Sequence, residues 1–336
     1  FLSPSNDFHG RINDLPTAIS EIETKEWRIS CSPHHNHQDT PEYEVITQLW
    51  MDQYLKDSFS FPQSPKLSLN LRKKKIPEVT LTFDESKMLS VDVYYTQQGQ
   101  IDGNKDNSVN TKNRFWRHSN AVKYNGQWSA QLPLHSIDAP LWVYANVTYK
   151  LDKTVSGAGY YYGDYSSDKF VLSSLLQTAS PSDLKSSQVV ESIKPQRMIE
   201  DFKDDWHKEW FTYKPSSWAV STHKVYDPLW KAPQNAKLCL EIYSEQVNKI
   251  VFSIDGYAKE IELQAEGKFE KVELNHSDFI NVEGSSLGGW NGIKELRLSE
   301  TETLRPRRGS KTEPRKLGTK WRGESPKFRN LRWQSN

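Results

Sequence analysis

The residues best suited to proton chemistry come early, in a defined order. Asn6-Asp7-Phe8-His9 follows a short apolar segment, Phe1-Leu2, and Pro33-His34-His35-Asn36-His37 follows Trp27-Arg28-Ile29-Ser30-Cys31. A carboxylate and an imidazole delivered by neighbouring loops make the orienting half of a nucleophilic site: the acid fixes the ring and the ring takes a proton from a hydroxyl. One formal G-x-S-x-G match could supply that hydroxyl, Gly284-Ser285-Ser286-Leu287-Gly288. It follows Asn281-Val282-Glu283 rather than a buried strand and leads into Gly289-Trp290 rather than a helix. Ser286 therefore lacks the strand-to-helix turn that exposes a nucleophile. Cys31 and Cys239, the only cysteines, are too few for a disulfide framework or a metal site. No loop has the Asp-rich spacing that demonstrates a Ca²⁺ site, and no cofactor or metal is expected.

The elements around these loops change character along the chain. Residues 13–24 predict a helix with Leu15, Ile19 and Ile22 on one face, between a strand end at Phe1-Leu2 and a strand over residues 27–31. A second helix is expected from Pro41, which suits a first turn, with Thr40 as its cap and Val45, Leu49, Met51, Tyr54 and Leu55 at near-helical spacing. From residue 67 to about 176 the period is two, as in Val79-Thr80-Leu81-Thr82-Phe83 and in the run from Leu141 to Tyr149. That pattern predicts an antiparallel sandwich in which Leu141, Val143, Ala145 and Val147 face the core. Trp142, Tyr144, Asn146 and Thr148 then face the other way, towards the opening segment. Residues 97–112, rich in Gly, Asn and Asp, predict a long surface loop, and the Ser- and Lys-containing stretch 178–195 a linker. A third unit begins at Met198, with strands expected over 236–243, 249–254, 260–263, 268–274 and 292–298, a spacing that suits a jelly roll or related sandwich. Leu317, Trp321, Phe328, Leu331 and Trp333 are too apolar for a solvated tail, so the end of the chain should return to this unit after an exposed loop over 300–314.

The opening segment resembles the late part of bacterial α/β-hydrolases of the acetyl-xylan-esterase and dienelactone-hydrolase-like group, including the PhoPQ-activated pathogenicity-related relatives. The likeness rests on a strand, SPSNDFHG, one helix, a strand, SPHHNH and a final helix, and covers about the first 60 residues. It implies that Asp7 orients the imidazole and that His37 is the general base, with His35 as the second candidate. It implies also a serine elbow upstream of the acid, so the chain is expected to be a C-terminal piece, inactive alone, of a secreted or periplasmic serine esterase. The segments Arg114-Phe115-Trp116-Arg117, Trp128 to Pro133 and Pro140 to Val147 resemble the immunoglobulin- or fibronectin-like domain that follows the catalytic domain in this group. IEDF, the W…EWF stretch and LGGWNGIKELRL resemble galactose-binding-like jelly rolls, the fold of many carbohydrate-binding modules. By that resemblance Trp206, Trp210, Trp218, Tyr226 and Trp230 are candidate sugar-stacking faces, with Asp201, Asp227 and Arg197 near in sequence, and the partner is a polysaccharide or carbohydrate ester.

The expected fold is thus mainly β, in four parts: a truncated α/β-hydrolase end over residues 1–65, an immunoglobulin-like β-sandwich over 66–178, a linker over 179–195 and a carbohydrate-binding-module-like jelly roll over 196–336. The alternative function is a non-catalytic β-sandwich interaction or adhesion module. Net charge of +1 argues against nucleic acid or an anionic membrane as a global partner. The charge is uneven: eleven Lys and Arg against Glu313 and Glu324 after residue 304 leave the first 304 residues at −8. No stretch approaches the roughly 18 apolar residues of a membrane span.

Overall fold

The structure is a computed structural model and describes residues 1–100, 111–159 and 163–335. Most of the expected surface loop over 97–112 lies outside the described residues. The chain divides into two compact units, Phe1–Ile193 and Lys194–Asn336, both mainly β. Among the described residues, no helix is long and apolar enough to cross a membrane.

In the first unit, Leu2 and Ser30 pair in parallel, joined by a crossover that holds a 3₁₀ turn, Ile12–Asp14, and helix α1, Leu15–Glu21. Parallel neighbours require such a crossover, because a tight turn cannot reverse the chain twice. The expected helix over 13–24 is thereby shortened at its C-terminal end. The helix expected from Pro41 is split at Val45 into α2, Pro41–Glu44, and α3, Ile46–Tyr54. Pro41 takes the first turn, but Thr40 makes no side-chain cap bond. Val45, Ile46 and Leu49 are buried while Met51, Tyr54 and Leu55 are exposed, so the single apolar face inferred from spacing does not exist.

The sandwich begins with β1 (Lys66–Asn70), β2 (Glu78–Thr82) and β3 (Met88–Thr96), followed by β4 (Arg117–Asn120), β5 (Val122–Tyr124) and β6 (Gln127–Gln131). It is completed by β7 (Leu141–Gly159), β8 (Gly163–Ser173) and β9 (Gln177–Ala179). One antiparallel sheet runs β1-β2-β6-β5; the other runs β4-β3-β7-β8, with β9 against the start of β7. The alternation along β7 has the consequence anticipated. Leu141, Val143, Ala145 and Val147 fill the core with Val79, Leu81 and Val93, and with Val45 and Leu49 from the helical segments. On the reverse face Trp142 and Tyr144, with Tyr94 and Trp116, pack against Ile12, Ile29 and Cys31 of the opening segment. From Leu141 to Val147 both faces of β7 are therefore buried, which a strict apolar–polar alternation would not require.

Residues 179–195 are not a linker. Ser180 and Asp183 form a capping box with Pro181 in the first turn, and helix α4, Pro181–Ser186, sends Leu184 into the core at 0% exposure. Val189 is buried in the same cluster, and Ser192 donates to the Leu134 carbonyl at 2.9 Å.

The second unit holds β10 (Met198–Glu200), β11 (Val220–Thr222), β12 (Lys237–Tyr243), β13 (Asn248–Ile254), β14 (Tyr257–Leu263) and β15 (Glu270–Leu274). It ends with β16 (Leu296–Ser299), β17 (Thr301–Leu304), β18 (Arg315–Gly318) and β19 (Lys327–Gln334). Two antiparallel four-stranded sheets, β10-β19-β12-β15 and β11-β16-β13-β14, are accompanied by the β17–β18 hairpin. The end of the chain returns: β19 lies between β10 and β12, with Leu331 and Trp333 buried. Of the loop expected over 300–314, residues 301–304 are instead strand β17, and the exposed connection is confined to the residues between β17 and β18.

Candidate active site

The two loops singled out by sequence leave the ends of the parallel pair side by side. Ser3 donates its amide to Ser30, Ser5 to Ser32 and Asn6 to the His35 carbonyl, at 3.1, 2.9 and 3.0 Å. The first loop closes on itself, with Ser3 Oγ donating to the Gly10 carbonyl at 2.6 Å and the Asp7 amide to Pro4 at 3.0 Å. Asn6 ties it down from below. Its amide nitrogen donates to the carbonyls of His34 and Arg114 at 3.3 and 2.8 Å, and its oxygen accepts the Trp116 indole N–H at 2.9 Å. Asp7 is consequently held on a fixed backbone, 5% exposed, with Oδ1 accepting the His9 amide at 2.8 Å.

The second loop turns sharply. His34 and His37 have φ of 65° and 51°, left-handed values that cost non-glycine residues roughly 1–2 kcal/mol each. Such conformations persist where the surroundings over-determine them, and they concentrate at functional loops. Here the His34 amide is fixed by Ser5 Oγ at 2.8 Å. At the end of the turn Nδ1 of His37 lies 2.9 Å from Oδ2 of Asp7. An ionised carboxylate only accepts, so in the neutral imidazole this bond places the hydrogen on Nδ1 and the lone pair on Nε2. The acid side chain is 7% exposed and the imidazole 53%, the distribution wanted of a shielded orienting group and a reachable base. His9 meets the imidazole edge-on, with ring centroids 5.1 Å apart.

The two histidine candidates separate by geometry. His35 is buried, with Nδ1 against the Pro33 carbonyl at 3.0 Å, whereas the His37 ring is half exposed and meets Asp7. His34 is buried between aromatic rings, stacked on Phe115 at 5.5 Å and edge-on to Tyr94 at 6.4 Å. Sequence reasoning missed a second acid at this site. Asp39 is buried and hydrogen-bonded by Ser32 Oγ. Burial raises its carboxyl to about 7, against the opposing Ser32 bond and with the negative neighbours Glu44, Asp7 and Glu42 adding to the rise. Asp39 stands two residues past His37; no pattern in the sequence marks it as buried.

Ser286 is exposed in the second unit, in an isolated antiparallel bridge with Ile280, and no helix follows it. The proposed sugar-stacking residues divide. Trp210 and Trp230 are core residues: their indole N–H groups donate to Glu200 Oε2 at 3.1 Å and to the Met198 carbonyl at 2.9 Å. Neither offers a face to a ligand. Trp206, Trp218 and Tyr226 remain partly exposed. Trp206 packs on Phe202 and Trp218 on Trp321, with centroids 5.1 and 5.0 Å apart. Asp227 is likewise structural, buried and capping the Leu229 amide at 2.9 Å. The buried Trp residues enclose an ion network the sequence does not announce: Lys224 Nζ lies 2.7 Å from Glu200, 2.6 Å from Glu209 and 5.1 Å from the centre of the Trp230 ring. Cys31 and Cys239 are buried free thiols, one in each unit.

Comparison of the chain with protein-family models, curated proteins and solved structures finds no match.

Proposed function

We propose that the first unit carries the orienting acid and the general base of an acyl-transfer site of the serine-hydrolase class, Asp7 and His37, with a carbohydrate ester as substrate. The carrying observation is the 2.9 Å contact between a buried carboxylate and a half-exposed imidazole on loops that follow the parallel Leu2–Ser30 bridge. On this reading the opening segment is the end of an α/β-hydrolase domain and the β1–β9 sandwich is its accessory domain. The second unit is a jelly-roll-type carbohydrate-binding domain of a secreted or periplasmic esterase. On this reading, as the resemblance of the opening segment implies, the serine nucleophile is supplied from outside these 336 residues; Ser286 has none of the local structure an elbow needs.

The test is hydrolysis of p-nitrophenyl acetate and acetylated xylan by the 336-residue chain alone and by the chain joined to whatever is encoded in frame ahead of Phe1. The chain alone should show only background, unaltered by Ser286→Ala. The joined polypeptide should hydrolyse both esters and lose roughly 10³-fold or more on His37→Ala, the scale of removing a triad member. Hydrolysis indifferent to His37 and Asp7 would overturn the reading and favour a non-catalytic β-sandwich interaction module.

A further inference from the structure

The first unit holds a cleft of about 520 Å³ at the start of the segment that leads to Ser30, before the Leu2–Ser30 bridge rather than after it as the Asp7–His37 pair is. Lys25, Arg28 and Lys66 line it, and none of the three makes an ion pair among the described residues. The acid on its wall is Glu26, whose Oε2 accepts the Tyr54 hydroxyl at 2.9 Å. Three cations against one carboxylate in a single concavity raise the local positive potential and attract an anion.

Arg28 is the fixed member of the group. Its Nε donates to the Pro62 carbonyl at 2.8 Å and its Nη1 to the Trp27 carbonyl at 2.7 Å. A guanidinium held in this way has already lost much of its rotamer freedom, so a further hydrogen bond to it costs less. Lys25 and Lys66 are exposed, long and adjustable. The rest of the wall is mixed: Gln63, Ser64 and Gln177 are polar, while Trp27 and Leu175, with Pro65 and Leu67, supply apolar surface that can cover a ring face or a sheet of C–H groups.

We infer that this cleft binds a small organic carboxylate with a flat apolar face, Arg28 and the two lysines taking the carboxylate while Trp27 and Leu175 cover the body. The inference does not rest on the acyl-transfer reading and stands or falls separately from it. Titration calorimetry of the 336-residue chain at low ionic strength tests it, with D-glucuronate and benzoate as probes and D-glucose and inorganic phosphate as controls. At least one carboxylate probe should bind and glucose should not. Its affinity should fall at least tenfold, about 1.4 kcal/mol, in the Lys25→Ala/Lys66→Ala double variant, whose exposed positions leave the circular dichroism unchanged. Tighter glucuronate identifies the source as a sugar acid and tighter benzoate as an aryl acid; both uphold the site. Absence of binding by both carboxylates, binding undiminished in the double variant, or phosphate binding as tightly as either carboxylate would overturn it.

Discussion

Replacing Asp39 by Asn should make the first unit more stable at alkaline pH and remove a pH dependence it now carries. Burial raises the Asp39 carboxyl from 3.8 to about 7 in the folded chain. Between those values the folded state holds a proton that the unfolded state has released. The sign follows from that difference. The stabilisation is fully present below about pH 3.8, is lost as pH rises towards 7, and is absent above it. At about 1.4 kcal/mol per pH unit the loss is on the order of 4 kcal/mol. Asn cannot ionise, yet its carbonyl oxygen can still accept the Ser32 hydroxyl that Asp39 accepts. In the variant the penalty at pH 8 therefore disappears without opening a cavity. For a unit of this size the midpoint of unfolding should rise by on the order of 10 °C at pH 8 and change little at pH 4. The assay is thermal unfolding followed by circular dichroism, taken as the variant-minus-parent difference at each pH so that groups common to both chains cancel. A difference that is the same at pH 4 and pH 8, or larger at pH 4, would refute the assignment of a buried, reluctant carboxylate.

Two further outcomes concern the second unit. Lys224→Ala leaves Glu200 and Glu209 beside each other without their cation, so the unit should lose about 3–5 kcal/mol in chemical denaturation; a loss below about 1 kcal/mol would show the network to be dispensable. Deleting residues 327–336 removes β19 from between β10 and β12 together with buried Leu331 and Trp333, burial worth about 5–10 kcal/mol by analogy with large-to-small replacements, which is comparable to the whole stability of a domain. Calorimetry should then show the unfolding transition of this unit missing, and an unchanged transition would contradict the strand order.

The acid and histidine were legible because they are local features: each follows an apolar segment, and the order acid then histidine survives without knowledge of the fold. That His37 is the ring set against Asp7 was not legible, since its position depends on a left-handed turn held by the three-dimensional hydrogen bonding of Ser5, Asn6 and His34. Alternation identified both faces of β7, including the face that meets Ile29 and Cys31. Composition misled over residues 179–195, where Ser and Lys surround Leu184 and Val189, the two side chains that anchor the segment. Aromatic residues were the least informative. An indole that stacks on a ligand and one that fills a core have the same sequence, and Trp210 and Trp230 proved to be core because Glu200 and the Met198 carbonyl satisfy their N–H groups from within.

In the proposed site Asp7 holds His37 as a base with its lone pair on Nε2. Nitrogen-15 NMR of the histidine-labelled chain, assigned through His37→Gln, reads this directly at pH 8, whatever the source of the nucleophile. The His37 ring should be protonated at Nδ1 and unprotonated at Nε2, with that preference lost in Asp7→Ala. A ring protonated at Nε2 in the parent chain, or an identical tautomer in Asp7→Ala, would contradict it.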